Sequence, residues 1–206
     1  MRCIAPIIYP LIVSVTLVTV APSTGHAHGG LGHIQGTAWA VENLPPGELR
    51  SFLAHPDTYN SILFGAAFPD IGYYPGILYG DLARQFGEYT HWPPFIEQFI
   101  EWVRVNDPPP WTTLESKKRV AFLLGCAAHG FQDEVFDTLF LPQISYHDQA
   151  GQTEADPGTD GMLINDGLFH TMPTDDIPMG TLIELLNQPG ILDSEVTETH
   201  ITSWLT

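Results

Sequence analysis

Proline sets the grain of this chain. Eighteen prolines interrupt it repeatedly, and each removes a backbone N–H and crowds the preceding turn, so most of the sequence can hold only short helices. Between the breaks, apolar residues recur at helical spacing, and no run alternates with period two for long. His33 to Leu44 reads as a helix stopped by Pro45-Pro46, Glu48 to His55 as a single turn, and Thr58 to Phe68 as a third segment ended by Pro69. Gly72 to Gly80, rich in Gly, Tyr and Pro, reads as a loop. Phe95, Phe99, Ile100, Trp102 and Val103 mark one face of a helix that Asp107 and three prolines terminate. Thr113 caps a longer helix, with Val120, Leu123, Leu124 and Ala127 facing a core, which runs to about Phe140 before Pro142. Ser145 to Asp176 is polar, with little periodicity, and reads as a long loop. Two helices, Thr181 to Leu186 and Ser194 to Trp204, follow. The expected class is all-α, with no internal repeat.

The first 27 residues stand apart from this pattern. Arg2, an apolar run from Ile4 to Val20 and the small-residue end Gly25-His26-Ala27 read as a secretory signal cleaved after Ala27. Pro6 and Pro10 inside the run, and its marginal length, argue against an uncleaved anchor. The expected mature domain is 28–206, 179 residues with 24 acids and 6 bases. It ends inside what reads as a helix, so the last core helices are short or the chain is truncated there. Cys3 leaves with the signal, and Cys126 reads as a small core residue without a disulfide. So acidic a chain lacks the cations needed to track a nucleic-acid backbone or to bind anionic lipid through a basic patch.

The histidines and aspartates cluster. His129, Asp133 and Asp137 fall at i, i+4 and i+8 on the longest helix, and so share a face within about two turns. That face continues an apolar helix, and no Lys or Arg lies near in the segment to pair with buried carboxylates, which leaves a bound cation or a solvated acidic end as the two resolutions. Asp70 follows a proline stop, Glu88 to Trp92 reads as the start of the next helix with His91 between aromatics, and His33 lies close to the expected mature terminus. Histidines, aspartates and a free terminus within reach of one helix face make a multi-metal site.

The segments GAAFPDIGYYPG (65–76), GEYTHWPPF (87–95) and PPPWTTLESKKRVAFLLGCAAHGFQDEVFD (108–137), in that order, resemble the zinc-dependent phospholipase C family. Within it, the pattern is similar to that of glycosylphosphatidylinositol-specific phospholipase D catalytic domains. The resemblance implies an all-α metallo-phosphodiesterase fold, shared with zinc nucleases, around three metal ions. It makes Asp70, His91, His129 and Asp133 the first metal site. It also makes Asp133 the bridge to a second ion, held otherwise by His28, as the mature N-terminal residue, and by His33. The third site departs from the family: Asp137 stands where a histidine is expected, and Thr153-Glu154-Ala155-Asp156 with Asp160 replaces a pattern that carries another. Asp137, Asp156 and Asp160 offer only oxygen donors, which suit Ca²⁺, Mg²⁺ or Mn²⁺ better than Zn²⁺. His147 is the one imidazole near enough in sequence to restore nitrogen ligation there.

The resulting expectation is a secreted hydrolase with two zinc sites, acting on a phospholipid-type phosphodiester. Asp70 ligates and also serves as a general base. A nuclease on the same scaffold and a non-catalytic metal- or lipid-binding module are the alternatives. Transient contact with a membrane surface goes with the lipid reading; no nucleic-acid partner is expected, and the oligomeric state is not legible. Tyr73, Tyr74 and Tyr79 lie where they can reach a headgroup or acyl chain. Trp92, Trp102 and Trp111 read as core, and His55, His170 and His200 as surface or turn histidines.

Overall fold

The computed structural model describes residues 29–73, 80–148, 151–168 and 177–205. Among them every regular element is helical. The order is α1 (Gly30–Asn43), α2 (Glu48–Leu53), α3 (Pro56–Ala67), a 3₁₀ turn (Phe68–Gly72), α4 (Asp81–Thr90), α5 (Pro93–Asn106), α6 (Leu114–Val135), a π turn (Phe136–Phe140), α7 (Leu141–Asp148), α8 (Gln152–Asn165), α9 (Met179–Leu186) and α10 (Glu198–Trp204). The expected signal segment and His28 lie outside the described residues, as do Tyr74, Tyr79 and His170.

The proline stops act as expected, with informative differences. Pro56 opens α3 at its first turn, where a missing N–H costs nothing, and His55 is its cap, accepting from the Asp57 N–H at 3.2 Å. Thr113 caps α6 by accepting from the Ser116 N–H at 3.1 Å. The segment 145–176 is not one long loop. The chain stays helical through Asp148 and again over Gln152–Asn165, with Pro157 inside α8. The switch to π hydrogen bonding at Phe136–Phe140 precedes Pro142 and changes the register there, and Phe136 is buried against Leu141 and Ile144.

A second correction concerns Glu88 to Trp92. These residues do not open a helix; they close α4, with His91 as its C-cap, and the next helix begins at Pro93. A third concerns orientation. Leu124 and Ala127 face outward, while Phe122, Gly125 and Cys126 take the buried positions on α6. Ile100 is exposed, and so is Trp92, whereas Trp102 and Trp111 pack against the core.

The core is aromatic. Phe64, Phe68, Phe86, Phe95, Phe99 and Phe122 are all fully buried, and Phe68 meets Phe86 and Phe122 edge-on, at 5.1 and 5.0 Å between ring centroids. Such pairs add roughly 0.5–1.5 kcal/mol each beyond area burial. Against this core α3 and α6 form the most extensive helix pair, and two glycines permit its closeness. A Cβ at Gly65 would fall 2.1 Å from the Phe122 carbonyl oxygen, and one at Gly125 would fall 2.1 Å from that of Ile62. Backbone cannot yield there as a side chain would. Gly125→Ala should therefore cost on the order of 3 kcal/mol by forcing the helices apart, read as a lower urea midpoint with unchanged slope. An unchanged midpoint would contradict the packing.

Candidate metal centre

Five side chains from four elements converge where α3 and α6 meet. His33 comes from the first turn of α1, Asp70 from the 3₁₀ turn, His91 from the C-cap of α4, and His129 with Asp133 from one face of α6. The Gly65/Gly125 contact brings the end of α3 onto α6, and the His129 Nδ1–H donates to the Ala66 carbonyl at 2.7 Å. The His91 Nδ1–H donates to the Gly87 carbonyl at 2.6 Å. A carbonyl can only accept, so both rings carry a proton on Nδ1 and direct Nε2 inward.

The inward atoms sit close together. His33 Nε2 lies 3.1 Å from Asp133 Oδ1 and 3.7 Å from Asp70 Oδ2. His91 Nε2 is 3.2 Å from Asp70 Oδ1, and His129 Nε2 is 3.2 Å from Asp133 Oδ2. His33 and His129 also stack, with ring centroids 3.7 Å apart. Yet His129 Nε2 and Asp133 Oδ1, both buried, make no properly directed hydrogen bond. His91 Nε2 and Asp70 Oδ1 are within hydrogen-bond geometry, whereas His129 Nε2 and Asp133 Oδ1 approach their neighbours without it, and all of them share a focus. An ion with bonds of about 2.0–2.1 Å in tetrahedral geometry sets its donors about 3.3 Å apart, and the observed spacings bracket that value. Two overlapping groups can each surround an ion: His33, Asp70 and His129, and His91, His129 and Asp133. The residues fit zinc.

Electrostatics agree. Burial, and then the neighbouring His129, lower the His33 pKa to about 4, so its imidazole is neutral at pH 7 and available as a ligand. Burial also opposes charge on His129, but the hydrogen-bonding contact and charge of Asp133, then Asp70 and the Ala66 carbonyl, outweigh it and raise that pKa. Burial disfavours the ionised Asp133 as well, and the His129 and His33 rings overcome it, holding the carboxyl well below the ordinary range. With a fifth of its side chain exposed, against 1% for Asp70 and none for His33 or His129, Asp133 marks the side from which solvent enters.

Several supporting contacts were not evident from residue types alone. Gln132 donates to the Thr37 hydroxyl at 2.8 Å, tying α1 to α6 beside the centre, and a Cβ at Gly36 would meet its amide oxygen at 2.4 Å. Tyr73 stands edge-on to His91 at 4.9 Å, its ring over Gly87. Glycines 36, 65, 87 and 125 were the available signal, since each marks a close approach. The carboxylates expected at a third site come from the π turn and from α8. Asp137 is exposed on the π turn. Asp156 lies on α8, with its side chain outside the description, and the Asp160 carboxylate meets the start of α1. His147 is exposed and stands edge-on to Tyr146. His55 is an exposed helix cap, and half-buried His200 completes a capping box with Thr197, its Nδ1 accepting from the Thr197 N–H at 3.2 Å; Cys126 is buried with a free thiol.

An all-α scaffold that presents buried histidines and aspartates at metal-ligand spacing defines a helical metallohydrolase. Comparison makes the class specific: residues 32–136, just over half of the chain, match the family described as zinc dependent phospholipase C, and the chain belongs to that family of hydrolases. It is also similar to phosphatidylinositol-glycan-specific phospholipase D of Homo sapiens (37% identical over 91 residues), of Rattus norvegicus (36%) and of Bos taurus (35%). Each match takes in 44% of this chain and 10% of the relative, so the likeness spans about a tenth of those proteins. No solved structure matches the chain. Among the described residues, no helix is long and apolar enough to cross a membrane.

Proposed function

We propose that the chain is an exported phosphodiesterase with two zinc ions, acting on phospholipid-type phosphodiesters. The convergence of five donors where α3 and α6 meet, three of them buried, carries this reading. Asp70, His91, His129 and Asp133 hold the first ion. Asp133 would also help hold a second, with His33 and, after cleavage at Ala27, the amino group of His28. Zinc bound there supplies Lewis-acid stabilisation of charge on phosphoryl oxygens and acidifies a water. Asp70, whose oxygens face His91 and His33, accepts the proton of the attacking water, and Asp133 borders the open side where the phosphodiester enters. Asp137, Asp156 and Asp160 supply oxygen donors only and hold no third zinc.

The lipid substrate class rests on the family and on the relatives, which are phosphatidylinositol-glycan-specific phospholipases D. Charge supports it over nucleic acid: none of the seven Lys and Arg residues lies beyond Arg119, while fourteen Asp and Glu do, so the part of the chain that supplies His129 and Asp133 offers no cations to a polyanionic backbone. Purified mature protein should hydrolyse p-nitrophenyl phosphorylcholine in the presence of Zn²⁺ and stop on chelation. Zinc-loaded protein without turnover on this ester or on phosphatidylinositol vesicles would overturn the reading.

A further inference from the structure

Helix α1 delivers His33 to the centre from a start that its own sequence does not support. It begins Gly30-Leu31-Gly32-His33, and glycine disfavours helix by about 1 kcal/mol relative to alanine. Its cap residue, Gly29, has no side chain to offer, and its first turn carries no acid. The first N–H groups of a helix have no partner within it. Here Asp160, from α8, reaches two of them: its Oδ2 accepts from the Leu31 N–H at 3.4 Å and its Oδ1 from the Gly32 N–H at 3.0 Å, the latter shared with the Gly29 carbonyl at 2.9 Å. The fit is close enough that a Cβ at Gly29 would fall 2.1–2.5 Å from the carboxyl group. A carboxylate at this end also complements the positive pole of the helix.

We infer that Asp160 is a positioning residue, a cap supplied to α1 from 128 residues away that fixes the helix carrying His33, and not itself a zinc ligand. The inference rests on the reading of His33 as a ligand. It explains three features together: why α1 can start on two glycines, why Gly29 must lack a side chain, and why α8 packs on α1 despite its weak amphipathicity. It also ties the metal centre to the folding of the helices that follow the π turn. Until α8 docks, the first turn of α1 has no cap, and His33, in that turn, has no fixed place.

Three variants separate a cap from a ligand. Asp160→Asn keeps an oxygen that accepts an N–H but is a poor zinc ligand. Asp160→Ala removes both roles. Gly29→Ala leaves every donor in place and pushes the carboxyl out of the cap, at a backbone conformation (φ −69°, ψ 160°) that alanine adopts freely. Gly29→Ala and Asp160→Ala should each lower the melting temperature of chelator-treated protein by about 3 °C. Each should also weaken zinc binding, read by competition with a chromogenic chelator, by roughly tenfold or more, as loss of an outer-shell support does. Asp160→Asn should stay within about threefold of the unaltered protein. The inference is overturned if Gly29→Ala changes neither quantity, or if Asp160→Asn is as damaging as Asp160→Ala. Failure of the metal reading would look different: His33→Ala would leave zinc content intact, while the melting temperatures in chelator would still report the cap.

Discussion

Asp133→Ala should nearly abolish phosphodiesterase activity and leave at most one zinc per chain. Asp133 faces two imidazoles at once, His33 at 3.1 Å through one oxygen and His129 at 3.2 Å through the other, so its removal takes a donor from both proposed ions. Loss of an outer-shell partner alone costs roughly 10–100-fold, and loss of the bridge itself should exceed that, at about 10³-fold or more in kcat/KM. Stability falls too. His129 owes its raised pKa chiefly to Asp133 against the opposing burial, and stripping a buried ionic group of its partner costs about 3–5 kcal/mol. The companion variant Asp133→Asn preserves shape and separates the effects: it should retain most of the fold but not the second zinc. Elemental analysis with steady-state kinetics decides the matter. Either variant with two zincs and full turnover would remove Asp133 from the centre.

How much of this centre is legible in the sequence follows from where its information resides. His129 and Asp133 are neighbours on one helix, and their i, i+4 spacing states the shared face outright. Asp70 and His91 come from motifs whose positions, after a proline and between aromatics, flag them without saying what they face. His33 is different. It lies 96 residues from His129, and only the α1–α6 contact, fixed by Gln132 and Thr37, stacks the two rings. The missed elements have a common cause. Asp81–Thr90 carries a strongly apolar face, but the Gly-, Tyr- and Pro-rich stretch before it and Gly87 inside it obscured its period, and Gly87 is required because the Tyr73 ring packs onto it. Gln152–Asn165 has almost no amphipathic period of its own, and Asp160 links it to the start of α1. Outward Leu124 shows the same limit at the scale of one residue. Apolar periodicity locates a face to within a residue or so, and the backbone contact at Gly125 decides which position turns inward.

Removing metal should be the largest perturbation short of mutating the centre. A ligand that binds only the folded state stabilises it by RT ln(1 + [L]/Kd), about 4 kcal/mol per ion at a thousandfold excess over Kd. Two ions therefore contribute roughly 8 kcal/mol, which for a chain of this size is on the order of 15–30 °C in melting temperature. Chelation should not unfold the protein outright. The aromatic core around Phe68 and Phe122 is independent of the ions, and a protonated His129 between Asp133 and Asp70 partly offsets the buried carboxylates. That compensation sets the pH dependence. His129 must give up its proton to ligate, whereas His33, with its pKa lowered to about 4, is already neutral across the working range. Zinc uptake is thus linked to proton release at His129. Because the folded-state pKa of His129 is raised, the stability its protonation gives the metal-free protein is complete below its unfolded value near 6.5 and fades as pH rises through its folded value. The gap in melting temperature between zinc-loaded and chelated protein should accordingly widen from pH 5 to pH 8. Scanning calorimetry across that range, with Zn²⁺ restored after chelation and Ca²⁺ added in parallel, tests both statements. A gap that narrows with pH, or that Ca²⁺ restores as fully as Zn²⁺, would refute the assignment of an imidazole-rich zinc centre, because calcium takes its ligands from oxygen and gains little from three histidines.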